Sequence, residues 1–181
     1  MSERRTQMLE AAVRVIAQDG VRGLRVEKLA AQAGVSTALI YYHFKDRAGI
    51  LRAALEHVND RARSYTGGVE SDDPRAQVEQ MLLAELQDDS VVRETSVAWG
   101  ELRASAAFEP ELRATLRAAT EAWNSDVETL VRQANPALDA AAAAERLTAM
   151  VEGLSERWHS GSLTLHRARD LLAGAIGREL D

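Results

Sequence analysis

One stretch decides the fold of this chain: LAAQAGVS, residues 29–36, followed directly by TALIYYHF, residues 37–44. Small Ala30 allows two helices to approach closely, Gly34 suits the tight turn between them, and Val35 fills the gap. Ser36 is a good N-cap for the helix that follows. The stretch therefore predicts a helix-turn-helix.

The second helix of this motif has an inner face and a free face. Ile40 and Phe44 are four residues apart and predict the inner face. Tyr41 and Tyr42 are neighbours and cannot both point into one core, so at least one of them is left for another surface. The major groove of duplex DNA is about as wide as one helix. The free face is therefore predicted to contact DNA.

The rest of the chain also shows helical periodicity, and no stretch alternates as a strand does. A first helix is predicted from about Met8 to Asp19 and Gly20, a second ends at Gly34, and a third reaches about His43. Asp46 is the predicted cap of a fourth. Five further helices are predicted at 74–87, 90–107, 110–134, 137–159 and 164–179. The expected fold class is all-α, with about nine helices.

A polar stretch, SYTGGVESDD at residues 64–73, predicts the boundary between two domains. Pro74 after Asp73 marks the start of the next helix. The expected organisation is a DNA-binding head at 1–46, a connecting helix at 47–63 and a helical ligand-binding and dimerisation domain at 74–181.

The charge is divided in the same way. The net charge is −6, but residues 1–63 carry 11 Lys and Arg against 7 Asp and Glu, whereas residues 64–181 carry 11 against 21. A basic head on an acidic body suits an anion-binding module joined to a different one.

The N-terminal part resembles the TetR family of transcriptional regulators. The family pattern is matched across nearly all of residues 7–55, by Gly20, Leu29 and Ala30, AGVS at 33–36, IYYHF at 40–44, and Arg47 to Leu51. The C-terminal half weakly resembles the betaine-regulator subgroup. The resemblance implies a homodimeric repressor that binds a palindromic operator and is released by a small-molecule inducer.

The resemblance also implies roles for individual residues. Thr37, Ala38 and Leu39 are expected to face bases. The residues expected against the phosphate backbone are Ser36, Tyr41, Tyr42, His43, Lys45, Arg25, Lys28, Arg47 and Thr6. Arg25 departs from the family pattern, which often has a capping Thr or Ser there, so charge is expected to replace a hydroxyl contact.

The C-terminal half supplies candidates for a ligand pocket and a dimer interface. By resemblance, the pocket residues are Trp99, Arg103, Phe108 and Trp123, although tryptophans of this kind are more often plain core. Two apolar stripes supply the interface, which by resemblance is a four-helix bundle across a twofold axis: Leu147, Met150, Val151, Leu154, Trp158, Leu165, Leu172 and Ile176. The alternative is that both stripes form intramolecular core alone.

Other functional classes find little support in the sequence. There is no cysteine, no phosphate-binding glycine loop and no nucleophile elbow, and the four histidines are spread along the chain without metal-ligand spacing. We therefore expect no enzyme, no metal and no cofactor. The absence of a secretory or membrane-spanning pattern predicts a cytoplasmic protein with no membrane partner. A second alternative is an adaptor that keeps the scaffold without binding DNA, but its basic residues argue against it.

Overall fold

The computed structural model describes residues 3–68 and 71–181, which form nine α-helices and no strand. The helices are α1 (Glu3–Gly23), α2 (Val26–Ala33), α3 (Thr37–Phe44), α4 (Arg47–Thr66), α5 (Pro74–Leu83), α6 (Ser90–Ser105), α7 (Arg113–Ala134), α8 (Ala140–His159) and α9 (Leu165–Leu180). A short 3-10 turn, Pro110–Leu112, precedes α7. The all-α prediction is confirmed.

Side-chain caps set several helix starts. The Ser36 hydroxyl accepts a hydrogen bond from the backbone N–H of Leu39 at 3.2 Å, so its predicted capping role is confirmed. The sequence starts the eighth helix at 137, which is wrong by three residues. The structure starts it at Ala140 because the Asp139 carboxylate caps it, accepting from the N–H of Ala142 at 3.2 Å.

Helix ends also differ from the predicted ones: α6 ends at Ser105 instead of 107, and the differences at α4 and α5 are larger. α4 runs to Thr66 instead of 63, and there Tyr65 donates its hydroxyl proton to Glu85 at 3.0 Å. α5 ends at Leu83 instead of 87. There the backbone tightens, since the N–H of Leu86 donates to the carbonyl oxygen of Leu83 at 3.1 Å. Arg169 of α9 supports this end, because its Nη1 donates to the carbonyl oxygens of Leu83 and Leu86 at 3.1 and 2.6 Å. A side chain distant in sequence thus satisfies the carbonyl of Leu86 and is a second donor to the carbonyl of Leu83.

The helical path of α1 breaks at Gly20, where the sequence predicts its stop. Gly20 has φ 71° and ψ 172°, a combination that essentially only glycine adopts. The break leaves the peptide groups of the next residues available to other partners. It also begins the turn that leads into α2.

The N-terminal unit comprises residues 3–61 and 97–117. Its core joins the inner faces of α1 to α4 with the second half of α6, so Leu9, Leu29, Ile40, Leu55 and Leu102 are all buried. Residues 97–117 thus pack with the head, although the sequence predicts them in the ligand-binding domain. The reason is the run Ala98, Leu102 and Ala106, which is buried in this core.

The joint between α3 and α4 is unusually tight. A Cβ atom at Gly49 would lie 2.0 Å from the carbonyl oxygen of Phe44, so the backbones pack directly against each other. Asp46 caps the first turn of α4 by accepting from the N–H of Gly49 at 2.7 Å, as the sequence predicts. Only glycine allows this approach.

The C-terminal unit comprises residues 62–68, 71–96 and 118–181. Its core joins α5, α7, α8 and α9, with Leu82, Val127, Leu147 and Leu172 among the buried side chains. No helix in the described parts of the chain is long and apolar enough to cross a membrane.

Candidate DNA-binding face and ligand cavity

The exposed face of α3 is the main candidate site. Ile40 and Phe44 are buried, as predicted, and fix the inner face of the helix. On the outer side Tyr42 is 81% exposed and Tyr41 49% exposed, and Thr37 and Ala38 are exposed as well. α3 therefore presents short side chains at its start and two phenols further along.

Two members of the predicted face are less available. Leu39 is only partly exposed and packs against the core of the N-terminal unit, so it offers little of its side chain to a base. His43 is partly buried between its neighbours, with its ring edge to face with Tyr42 at 5.3 Å and 6.2 Å from Phe44. Both residues help to hold the helix in place.

Four other predicted phosphate contacts differ in how available their side chains are. Lys45 follows α3, is exposed and has a left-handed φ of 65°. Arg25 stands at the N-cap of α2 without a side-chain capping bond, as its departure from the family pattern implies, and it is exposed. Lys28 is exposed but paired with Asp19 at 2.6 Å, and Thr6 is partly exposed on α1.

Arg47, another predicted phosphate contact, is partly exposed and has partners within the protein. Its Nη1 donates to Glu109 at 2.9 Å and its Nη2 donates to the backbone carbonyl oxygen of Val21 at 2.9 Å. To reach a phosphate, this guanidinium would have to give up or share one of these two hydrogen bonds. The structure thus gives Arg47 an internal bridging role, which the basic start of α4 alone could not reveal.

The four predicted ligand-binding residues are divided between the two units. Trp99 packs against the core of the N-terminal unit. Arg103 and Phe108 lie in the same unit but outside its core, and Phe108 is 83% exposed. Trp123 packs instead against the core of the C-terminal unit. For Trp99 the plain-core alternative describes its surroundings.

Trp123 lines an open cavity of about 480 Å³ inside the C-terminal unit. Its walls come from the end of α4, from α5 and from α7, and include Arg63, Gln77, Met81, Trp123, Asp126 and Leu130. Arg63 and Asp126 form an ion pair across it at 3.2 Å. The cavity thus combines an indole, apolar side chains and one charge of each sign.

Two family models match this chain over most of its length. Residues 8–54 match the model described as bacterial regulatory proteins, tetR family, and residues 74–181 match BetI-type transcriptional repressor, C-terminal. The chain belongs to the TetR family. It is a DNA-binding transcriptional regulator with a BetI-like C-terminal domain, and not an enzyme.

Solved structures resemble this TetR-family chain along its full length. One described as a TetR-family transcriptional regulator from Rhodococcus sp. is 46% identical, covers 100% of both chains and has a TM-score of 0.93. A transcriptional regulator from Saccharomonospora viridis in complex with choline is 25% identical, with a TM-score of 0.82 and coverage of 98% and 97%. The HTH-type transcriptional regulator BetI of Burkholderia mallei is 29% identical, over 88% of this chain and 82% of its own length.

The apolar stripes of this TetR-family chain are largely used within the subunit. Six of the eight residues expected in a dimer interface are buried in the single chain: Leu147, Val151, Leu154, Trp158, Leu172 and Ile176. Met150 and Leu165 are only partly buried. An interface on α8 and α9 would therefore use these two residues and the exposed positions beside them, such as Ala149 and Gly153.

Sequence reasoning missed two sets of residues. Arg63, Met81 and Asp126 belong to the cavity beside Trp123, and the three-residue spacing of Trp123 and Asp126 on one helix was the available signal. The other is Glu101, which accepts a hydrogen bond from the N–H of Val21 at 3.1 Å. Because the two residues are 80 positions apart in the sequence, no local pattern predicts that contact.

Proposed function

We propose that this regulator is a ligand-responsive repressor that acts in the cytoplasm, binds a palindromic operator as a homodimer, and is released by a small-molecule inducer. The observation that carries the DNA-binding part is the free face of α3, with Thr37, Ala38, Tyr41 and Tyr42 exposed beside a fully buried inner face. Exposed tyrosines of this kind are typical of a surface that binds another molecule.

On this proposal the residues of α3 divide their tasks. Thr37 and Ala38 lie in the first turn, where short side chains reach base edges in the major groove. Tyr41, Tyr42 and Lys45 contact phosphates, the tyrosines through hydroxyl groups that extend past apolar rings. Arg25 adds a charge at the start of α2. Two such heads need to reach successive major grooves about 34–36 Å apart, which a twofold dimer provides.

Substitutions on α3 test this division. Tyr41→Phe removes one hydroxyl and should weaken binding about fivefold for every duplex, since a lost phosphate contact carries no sequence information. Thr37→Ala should instead change the ranking of duplexes. Sequences selected from random DNA and titrated by fluorescence anisotropy give both readouts. A uniform effect of Thr37→Ala and a sequence-dependent effect of Tyr41→Phe would reverse the assignments.

Salt dependence and sedimentation test the remaining parts of the DNA-binding proposal. The logarithm of affinity should fall linearly with the logarithm of salt concentration, with a slope of about −0.9 per phosphate contacted. A flat salt response would favour a scaffold that acts without DNA. Sedimentation equilibrium should give a dimer, and a stable monomer at micromolar concentration would refute the homodimer.

The inducer we propose is a small organic cation of the quaternary ammonium class, bound in the cavity beside Trp123. The choline complex of the 25% identical regulator supports this class. The indole of Trp123 provides a face for a cation, and Asp126 provides a carboxylate three residues along the same helix. The volume of about 480 Å³ lies in the range of small-molecule sites.

The ion pair between Arg63 and Asp126 suggests how such a ligand acts. Arg63 belongs to the last turns of α4, the connecting helix, and Asp126 belongs to α7. A ligand cation that approaches Asp126 competes with Arg63 and frees the end of α4 from α7. Release then follows if the ligand prefers the state in which this pair is open.

Choline and its neutral isostere 3,3-dimethylbutan-1-ol test the proposed class. Choline should quench tryptophan fluorescence and bind about tenfold more tightly than the neutral alcohol, because only the charged molecule gains cation–π and carboxylate attraction. Asp126→Asn should remove most of this preference, whereas Asp170→Asn on the exposed side of α9 should leave it. Equal binding of both compounds would refute the charge-based site.

A further inference from the structure

The last residues of α1, which follow the break at Gly20 and lead towards α2, are held from both sides at one residue, Val21. The N–H of Val21 donates to Oε2 of Glu101 on α6 at 3.1 Å. Its carbonyl oxygen accepts from Nη2 of Arg47, the first residue of α4, at 2.9 Å. Both partners are charged, which makes these hydrogen bonds stronger than neutral ones.

The grip continues beyond Arg47. Its other terminal nitrogen, Nη1, donates to Glu109 at 2.9 Å, and Glu109 lies in the junction that follows α6. We call the set Glu101, Val21, Arg47 and Glu109 the Val21 clamp. It joins the end of α6, the start of α4 and the turn that leads to α2, all within the N-terminal unit.

The backbone at Gly20 is shaped for this clamp. Its φ of 71° ends the helical bonding of α1 and turns the next N–H outward. A Cβ atom at this position would lie 2.7 Å from Oε2 of Glu101. A conformation that costs most residues 1–3 kcal/mol is thus found where one carboxylate approaches the chain, which points to a role for the contact.

Two helices that contact the clamp, α4 and α6, each contain residues of both units, so a displacement can reach the clamp along either helix. α6 contributes residues 90–96 to the C-terminal unit and residues 97–105 to the N-terminal unit, and α4 likewise contributes residues to both. The turn at Val21 precedes α2 and α3, which carry the DNA-binding face. A displacement along α6 therefore reaches that turn through Glu101 and, by way of Arg47, through Glu109.

We propose that Glu101, Arg47 and Glu109 are positioning residues that couple the end of α6 to the DNA-binding head through the backbone N–H and carbonyl of Val21. The proposal rests on operator binding by the head and does not depend on the identity of the inducer. Coupling is reciprocal, so a clamp that carries a change from α6 to the head also carries the effect of bound DNA back to α6.

Hydrogen exchange of the full-length protein, with and without a selected operator duplex, tests the proposal. In the wild type, operator should slow exchange in residues 100–112 by about fivefold or more, although these residues lie outside the DNA-binding face. In the Glu101→Ala, Glu109→Ala double variant this remote effect should vanish. Operator affinity should change by less than about threefold, since neither side chain touches DNA.

Three controls separate coupling from a merely structural role. Glu101→Gln keeps an oxygen that can accept from the N–H of Val21. In a protein that retains Glu109, this variant should preserve most of the remote effect of operator. Glu111→Ala removes an exposed carboxylate two residues from Glu109 and should leave the effect intact. Glu101→Ala should speed exchange of the Val21 amide about tenfold while the amides of α2 and α3 stay protected.

The outcomes distinguish this proposal from the proposed function. If operator binds and residues 100–112 respond equally in wild type and double variant, or do not respond in the wild type, the clamp does not couple the segments. If no duplex binds at low salt, the DNA-binding proposal fails first. A wild-type response that the double variant lacks, and that Glu111→Ala retains, supports the clamp.

Discussion

Replacing Gly20 with alanine tests the geometry at the end of α1 in quantitative terms. The backbone there, φ 71° and ψ 172°, costs a residue with a Cβ atom about 1–3 kcal/mol. The new Cβ would lie 2.7 Å from the Glu101 carboxylate, which must move and give up its bond to Val21. Because Glu101 is exposed, that bond contributes only about 1 kcal/mol.

The expected loss of unfolding free energy is therefore about 2–4 kcal/mol, which corresponds to a lower Tm by roughly 4–16 °C for a chain of this size. Thermal unfolding followed by circular dichroism measures it, at one fixed protein concentration because association shifts the apparent Tm. Gly34→Ala is the matched control. Gly34 also has a positive φ, 65°, but no atom lies within 4 Å of its added Cβ.

Gly34→Ala should then cost only the backbone contribution, about 1–2 kcal/mol. In a Glu101→Ala background the carboxylate is already gone, so Gly20→Ala should cost about 1 kcal/mol less than in the wild type. The reasoning fails if Gly20→Ala costs no more than Gly34→Ala and is indifferent to the residue at position 101.

Two further predictions concern the C-terminal unit. Burial raises the pKa of Glu85 to about 7; the hydrogen bond from Tyr65 opposes this shift and Glu152 adds to it. Between pH 4.5 and 7 the folded state therefore binds more protons than the unfolded state. The free energy of unfolding should fall as pH rises through that window. Burial and, to a smaller extent, the charge of Arg93 lower the pKa of His159 to about 4. The free energy of unfolding should therefore also fall as pH drops from 6.5 towards 4. In Glu85→Gln only the histidine effect remains, so the free energy of unfolding measured by urea titration should rise with pH. In His159→Gln it should fall with pH, and each slope should reach at most about 1.4 kcal/mol per pH unit. Equal slopes in both variants would contradict the assignment. Arg169→Ala should cost about 1–2 kcal/mol, because the carbonyl of Leu86 loses its donor and the carbonyl of Leu83 keeps only the N–H of Leu86. The exposed neighbour Arg167→Ala should change little, and equal losses would argue against the contact of Arg169 with the end of α5.

The parts of the fold that the sequence predicts well are those governed by local chemistry. Gly20, Ser36 and Asp46 act on residues no more than three positions away, and their effects on the helix ends followed from residue type alone. The buried pair Ile40 and Phe44 is set by helical spacing in the same way. A free face on α3 is the other side of that periodicity.

Contacts between distant parts of the chain account for the differences. The basic start of α4 does not reveal that Arg47 bonds to Glu109, 62 positions later. α5 ends early because Arg169 reaches it from 86 residues away. Trp99 and Trp123 look alike in sequence, yet they pack against separate cores. The apolar stripe on α8 likewise reveals burial without telling which chain covers it.

The contact between Gly49 and the carbonyl of Phe44 has a consequence for how α3 can be steered. No side chain lies between the two backbones at this joint, so α3 and the first turn of α4 should move as one rigid body. A tilt of α4 should therefore tilt the tyrosine face of α3 by the same angle. A larger residue at position 49 would push the two helices apart and change the angle at which this face meets a groove.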